Sequence, residues 1–155
     1  MPDEACRTEA IDQKIVHIFT RKDRRLVSYW QQLDDLQIGA VSGYSYGNEL
    51  YARPHLKITY SKNDVANIKM LIAGRIDAVL GDHATTLEAI QSLKAQDYVK
   101  YDPKFKLAVM DVFWVFQNDT KGLELCRSVS KAISSLKANK PGVLFFDGID
   151  TKEEL

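Results

Sequence analysis

The sequence has no long apolar run and no excess of either charge, and it contains only two cysteines. Because no apolar run reaches transmembrane length, we expect no membrane-spanning helix. Lys and Arg total 21, as do Asp and Glu, and this balance argues against a nucleic-acid partner, which usually needs a basic surface. The first six residues show no basic stretch followed by an apolar one, so we expect no secretion signal in this chain.

The cysteines and histidines form no recognisable metal motif. Cys126 falls on the apolar face of an expected helix, where we expect a small buried thiol, although spacing alone leaves a bridge to Cys6 open. His17, His55 and His83 have no zinc-like spacing with each other or with cysteine, and we expect them to be structural or exposed. The sequence therefore predicts no metal and no cofactor.

An alternating apolar pattern is the main structural signal. The chain has 155 residues and is 45% hydrophobic, which suits a domain with a core of its own. Expected strands alternate with expected helices, and this order predicts an α/β sandwich of three layers with a mainly parallel sheet. The strands are expected at 15–20, 37–41, 56–60, 76–81 and 107–116, and the helices at 26–33, 48–52, 64–73, 85–93 and 122–137.

The same pattern sets the expected domain boundaries. We expect a polar leader over residues 1–14, one α/β domain over 15–146 and an acidic tail over 147–155. The strand at 107–116 is mostly apolar, so we expect it to be buried on both faces except near Asp111. The helix at 122–137 is expected to bury a stripe of apolar side chains: Leu125, Val129, Ile133 and Leu136.

Two segments carry functional chemistry at the ends of expected strands. Residues 36–47 (LQIGAVSGYSYG) predict a buried strand, a small-residue turn and a helix start, whose free backbone N–H groups attract anionic or carbonyl oxygens. Residues 74–82 end a second strand on the carboxylate of Asp82. Since ligands bind beyond the carboxyl ends of parallel strands, these segments predict a small-molecule site with a donor-rich edge and an anionic edge.

Individual residues of these segments suit a polar ligand. The hydroxyls of Ser42 and Ser45 and the amides of residues 44–47 would donate to a carboxylate or carbonyl. Asp82 would accept from an ammonium group, or would only cap the following helix. Gly43 lets a ligand approach the backbone. Aromatic rings would stack on an apolar or cationic part of the ligand: Phe19, Tyr44 and Tyr46.

The turn also fits a serine-hydrolase pattern. Residues 43–47 (GYSYG) match G-x-S-x-G with Ser45 as the nucleophile. The base would be His83 and the acid Asp77 or Asp64. Against this, Asp77 and His83 lie close together in sequence, and no oxyanion segment precedes the turn. A further alternative is a glycine-rich turn that only connects a strand to a helix.

Together these segments resemble the bacterial extracellular solute-binding proteins of the family 3 type. The resemblance covers most of residues 15–140 and implies one lobe of a type II periplasmic binding protein-like fold. The segments that match are 19–23 (FTRKD), 36–47, 71–82 (LIAGRIDAVLGD) and the helix at 123–136.

The resemblance implies roles for residues and a function. Ser45 matches the turn position that contacts the solute, and Asp82 matches the carboxylate that takes its α-amino group. The strands near 15–20 and 112–116 match the two segments in which the chain of that family crosses the hinge between its two lobes. The implied function is non-enzymatic binding of a small polar solute such as an amino acid, for a membrane ABC transporter or a related sensor. The implied location is the periplasm, whereas a complete chain without a signal would be cytoplasmic.

The sequence departs from that family in two respects. The family's N-terminal portion, which supplies an arginine for the solute carboxylate, has no counterpart here, and Tyr44 replaces a small hydroxyl residue. A lobe that cannot enclose its ligand should bind it weakly, and exposed hinge surface favours a homodimer. Three functions stay open: a solute-binding domain, a self-associating lobe without a small ligand, and a hydrolase.

Overall fold

The computed structural model describes residues 5–139, which fall into two compact units. The larger unit comprises residues 14–110, and the smaller one combines 5–13 with 111–139. The two ends of the described chain therefore build the smaller unit together. The acidic tail that we expected over 147–155 lies outside the described residues.

Eight strands and four α-helices are assigned within the described chain, with one 3-10 helix at Trp30–Leu33. The strands are β1 (Cys6–Arg7), β2 (Asp12–Arg21), β3 (Gln37–Val41), β4 (Lys57–Ser61), β5 (Ala78–Asp82), β6 (Val99–Tyr101), β7 (Ala108–Val112) and β8 (Val115–Phe116). The helices are α1 (Asn48–Tyr51), α2 (Asp64–Ile72), α3 (His83–Ser92) and α4 (Thr120–Asn139).

The main sheet is mixed. Its strand order is β4-β3-β5-β2-β6, and β7 pairs with β2. β3 runs parallel to both β4 and β5, whereas β2 runs antiparallel to β5 and β6. The carboxyl ends of β3 and β5 consequently lie at one edge of the sheet, where the amino-terminal part of β2 also lies.

Alternation along β2 divides the core between the two faces of the sheet. Ile18 packs in one apolar cluster with Leu33 and Leu80, while its neighbour Phe19 packs in the other with residues of α2 and α3. Successive strand side chains point to opposite faces, so one strand supplies both clusters. The expected three-layer α/β architecture is confirmed, although the sheet is mixed rather than mainly parallel, because β2 runs antiparallel to its neighbours β5 and β6.

Local chemistry sets the ends of the helices on this sheet. The Asn63 side chain accepts a hydrogen bond from the Ala66 N–H at 2.9 Å and so starts α2. Beyond α2, Gly74 takes a φ of 68°, a left-handed conformation that suits glycine. Asp82 caps α3 in the same way as Asn63 caps α2, by accepting from the Thr85 N–H at 3.2 Å.

Residues 5–13 are more ordered than the polar leader that we expected over residues 1–14. β1 pairs antiparallel with β8, and the N–H groups of Thr8 and Ile11 donate to the carbonyls of Trp114 and Val112 at 3.0 and 2.7 Å. Cys6 forms a disulfide with Cys126, 120 residues away, so the prediction of a free buried thiol is wrong. Long-range strand pairing and a distant cysteine, rather than local pattern, order this segment.

The expected strand at 107–116 is broken into β7 and β8 and is largely exposed. Trp114 and Val115 are each 53% exposed, so the prediction of burial on both faces is wrong. The smaller unit contains a two-stranded sheet and one helix within the described chain, which is too little apolar surface to cover these side chains. β6 was missed because it is only three residues long.

The buried face of α4 is rotated relative to the expected stripe. Ile133 is buried as predicted, but Leu125 and Leu136 are 45% and 50% exposed. Gly122 and Cys126 are buried instead. The disulfide to β1 requires the Cys126 side chain to face inward, and this fixes the helix face.

Replacing both cysteines with alanine should destabilise the smaller unit selectively. A disulfide restricts the unfolded chain, and for a span of this length we expect a loss of about 2–5 kcal/mol in the free energy of unfolding. Hydrogen exchange should show lost protection in β1 and β8 and retained protection in β3 and β5. The measurement is urea unfolding combined with residue-resolved exchange, with Ser128→Ala on α4 as the control. An equal loss of protection in all four strands would contradict this assignment.

Candidate functional site

The turn after β3 has the backbone form that its glycines permit. The Ser42 N–H donates to the Ser61 carbonyl at 2.9 Å, which continues the β3–β4 ladder by one residue. Gly43 and Gly47 have φ values of 80° and 84°, which side-chain-bearing residues rarely adopt. A side chain at Gly47 would also meet Ala108, since an added Cβ would lie 2.9 Å from the Ala108 Cβ. The turn is thus fixed by two glycines.

This turn presents free donors at an open concave surface. Among residues 5–139, no hydrogen-bond acceptor is found for the backbone N–H groups of Ser45 and Gly47. Ser45 Oγ contacts only the Met110 sulfur, at 3.7 Å, which is a weak acceptor. The concave surface has a volume of about 410 Å³ and is lined by Ser42, Gly43, Tyr44, Ser45, Tyr51 and Tyr60. These groups can receive a carboxylate or a carbonyl.

A lysine that the sequence analysis overlooked lies against the same turn. Lys14 Nζ donates to the Ser45 carbonyl at 3.3 Å and lies 4.6 Å from the centre of the Tyr44 ring and 5.6 Å from that of Tyr46. These distances are typical of cation–π contacts. The signal was the two-residue spacing of Lys14, Val16 and Ile18, which places them on one face and continues β2 into the supposed leader.

Asp82 lies at the same sheet edge as the turn. It ends β5, the parallel neighbour of β3, and its side chain is half-buried while it caps α3. Asp82 does not line the concave surface around Ser42 and Ser45. The structure therefore brings the two predicted segments to one edge without placing Asp82 inside the pocket.

Two predicted ligand-stacking residues belong to the core instead. Phe19 is fully buried on the α2–α3 side of the sheet. The Tyr46 hydroxyl accepts a hydrogen bond from the Val41 N–H at 2.7 Å, and burial raises the pKa of Tyr46 to about 12. Neither ring can stack on a ligand in this arrangement, so we remove both from the candidate site. Tyr44 remains, since it is 41% exposed.

The hydrolase alternative lacks its triad geometry. His83 packs on His17, with 5.2 Å between the ring centres, rather than on Ser45. Asp77 accepts from the Gln37 N–H at the opposite end of β3, at 2.9 Å. Asp64, the other proposed acid, accepts from the Thr86 hydroxyl at 3.1 Å. None of these groups reaches the Ser45 hydroxyl.

The buried His17 forms an aromatic cluster with the half-buried His83 and Tyr101. The centre of the Tyr101 ring lies 5.0 Å from that of His17 and 5.8 Å from that of His83. Burial lowers the pKa of both histidines, and the positive charge of Lys106 acts in the same direction. The Phe105 carbonyl partly offsets the effect at His17, and Asp82 does so at His83. The folded state therefore disfavours protonation of both rings.

Residues 5–139 contain neither a membrane-spanning helix nor a metal-binding cluster of side chains. None of their helices combines the length and the apolarity needed to cross a bilayer. No group of three or more His, Cys, Asp or Glu side chains in that part of the chain could hold a metal ion.

Comparison with known proteins shows the fold. No family model and no curated protein matches the chain. Among solved structures, a mutant of the arginine-binding protein ArgBP from T. maritima matches with a TM-score of 0.70 at 15% identity, over 87% of this chain and 57% of that one. ArtJ from Geobacillus stearothermophilus, an arginine-, lysine- and histidine-binding protein, matches with a TM-score of 0.63 at 21% identity, over 88% and 58%.

A third neighbour is a ligand-binding core. The ligand-binding core of GluR0 from Nostoc punctiforme, in complex with L-glutamate, matches with a TM-score of 0.67 at 16% identity, over 88% of this chain and 60% of that one. The chain has a type II periplasmic binding protein-like fold. The resemblance to family 3 solute-binding proteins is confirmed at the level of this fold, and the chain spans about 57–60% of the length of these neighbours.

Acidification should destabilise the larger unit through the histidine cluster. Folding lowers the pKa of His17 and His83 below the ordinary value of 6.5, near which the unfolded chain takes up protons. Unfolding therefore becomes easier as the pH falls below about that value, and stability is highest above it. Urea unfolding between pH 7.5 and 5.5 should show this decline, and a variant carrying His17→Phe and His83→Phe should show a shallower one.

The exposed His55 provides the control for this experiment. It pairs with Asp34 at 3.0 Å on the surface, so His55→Gln should keep the steep decline. If the double variant declined as steeply as the unmodified chain, the histidine cluster would not be the source of the pH dependence.

Proposed function

We propose that the chain binds a small polar, amino-acid-like solute and has no catalytic step of its own. One observation carries the proposal: the donor-rich turn at 42–47 and the carboxylate of Asp82 lie at the same edge of the sheet. An α-amino acid has a carboxylate, which suits the turn, and an ammonium group, which suits Asp82. The fold neighbours support the proposal, because ArtJ is an arginine-, lysine- and histidine-binding protein and the GluR0 core is in complex with L-glutamate.

We expect the affinity of the chain alone to be low. Small-molecule sites normally bury most of the ligand surface, whereas the surface around Ser42 and Ser45 is open. The chain also spans only about 57–60% of its fold neighbours. Covering the ligand from a second side would raise the affinity.

The disulfide supports an extracellular or periplasmic site of action. Disulfides persist mainly in oxidising compartments, and the Cys6–Cys126 bridge pairs both cysteines of the chain. A solute-binding role there would be coupled to a membrane ABC transporter or a sensor. One fold neighbour is described as the substrate binding protein of an amino acid ABC transporter, which supports the first of these partners.

An amino acid that binds the site should raise the thermal unfolding midpoint. At a hundredfold excess over its dissociation constant, such a ligand adds about 2.7 kcal/mol to stability. Ser45→Ala should weaken binding about fivefold to tenfold and Asp82→Ala about tenfold or more, because each removes a hydrogen bond to a charged group. The measurement is thermal unfolding across free amino acids, small polyamines and carboxylates.

Asp82→Ala also removes a helix cap, so it needs a matched control. Asn63→Ala removes the corresponding cap of α2 and should lower stability by about 1 kcal/mol without changing the response to ligand. Unchanged ligand affinity in both Ser45→Ala and Asp82→Ala would rule out this site.

We propose self-association as a second candidate function, favoured by the exposed apolar side chains of the smaller unit. Trp114 and Val115 are each 53% exposed, and Leu125 and Leu136 are 45% and 50% exposed. Exposed large apolar side chains are frequent at protein interfaces, and tryptophan is frequent at their centres. A second copy of the chain would cover these side chains.

Sedimentation equilibrium should then show a reversible dimer. Trp114→Ser should weaken it about tenfold or more, since a central aromatic side chain often dominates an interface. The control is Tyr98→Ser, which removes an aromatic side chain of similar exposure, 59%, from the larger unit. A strict monomer at all concentrations would rule out this function.

A further inference from the structure

We infer that Lys14 binds the carboxylate of the ligand opposite Asp82, so that this one sheet edge recognises both charges of a free α-amino acid. The inference rests on the proposed function. It names the ligand class as a molecule with an adjacent ammonium and carboxylate, rather than an amine, an amide or an ester. Lys14 is then a residue that determines specificity at the site.

The strand register places Lys14 and Asp82 on the same face. Val16 of β2 lies directly opposite Asp82 of β5 in an antiparallel ladder, so their side chains point to the same side of the sheet. Lys14 precedes Val16 by two residues and shares its face. Diagonal neighbours of this kind have Cβ atoms roughly 7–8 Å apart. The register thus places a cationic and an anionic side chain on one face of the sheet, at the end where β3 and β5 finish.

The Lys14 ammonium has unused hydrogen-bonding capacity. It carries three N–H donors, and the contact to the Ser45 carbonyl at 3.3 Å uses one of them. Within the described chain, no carboxylate lies within 4.0 Å of this ammonium group. A half-buried positive charge without an anionic partner favours an incoming anion.

The side chains around Lys14 position its ammonium group close to further hydrogen-bond donors for an anion. The Tyr44 and Tyr46 rings flank the ammonium, and Tyr46 is itself fixed by its hydrogen bond to Val41. The Ser45 hydroxyl and N–H lie next to the carbonyl that Lys14 contacts. A carboxylate placed there would accept from Lys14 and Ser45 at once, while Asp82 would accept from the ammonium group of the same ligand.

A purely structural role for Lys14 predicts a different outcome. If Lys14 only supported the turn, its loss would weaken all ligands alike. If it binds the carboxylate, its loss should weaken acids and spare amides. The experiment therefore compares L-arginine with L-argininamide, and L-glutamate with its α-amide, by isothermal titration calorimetry on the full chain. Each pair differs at the α-carboxylate alone.

The unmodified chain should prefer each acid to its amide by about 10-fold to 100-fold, as expected for hydrogen bonds to a charged group. Lys14→Gln should abolish this preference by weakening the acids only, and Lys14→Arg should retain most of it. The control is Lys57→Gln, which removes an exposed lysine at the opposite end of the sheet and should leave the preference intact.

Three results would overturn the inference. A preference for acids that persists in Lys14→Gln would assign the carboxylate to other donors while leaving solute binding in place. Equal weakening of acids and amides in Lys14→Gln would give Lys14 a structural role. If the unmodified chain bound none of the four probes, the proposed amino-acid binding would itself fail, and the inference would fail with it.

Discussion

The antiparallel pairing of β2 with β5 is the constraint on which the rest of the larger unit depends. Its register sets Val16 opposite Asp82 and His17 opposite Gly81. One face of β2 therefore carries Lys14 toward the ligand edge, while the other carries His17 into the aromatic cluster. A shift of this register by one residue would exchange the two faces, burying the lysine and exposing the histidine. The proposed contact of Lys14 with the ligand and the position of His17 in the aromatic cluster therefore both depend on the pairing of β2 with β5.

Much of the larger unit could be predicted from local sequence. β3, the caps of α2 and α3, and the placement of Asp82 at a strand end all follow from patterns within a few residues. The Asn63 cap illustrates why: its side chain satisfies the N–H of Ala66, three residues away, and needs no distant partner. The α/β layers follow in turn, because alternating strands and helices have few ways to bury their apolar faces.

The parts that could not be predicted depend on contacts distant in sequence. The Cys6–Cys126 bridge spans 120 residues. It ties β1, which we expected to be part of a loose leader, to α4. It also places Cys126 on the buried face of α4. Phe19 and Tyr46 were assigned to the ligand because aromatic residues near a turn look accessible. Whether such a ring faces the ligand or the core is decided by register and packing, and the Tyr46 hydroxyl finds its partner in the Val41 N–H.

Placing both ligand charges on one sheet edge would separate the selectivity of a site from its affinity. A site divided between two bodies loses one of its charges when they separate, and its selectivity is lost with it. In the proposed site, Lys14, Ser45 and Asp82 all belong to the larger unit, so the proposal assigns recognition of a zwitterion to this unit alone. A second body would add enclosure, which raises affinity by excluding water, but the choice between an acid and its amide would already be made. Under this proposal, selectivity and affinity are therefore separable.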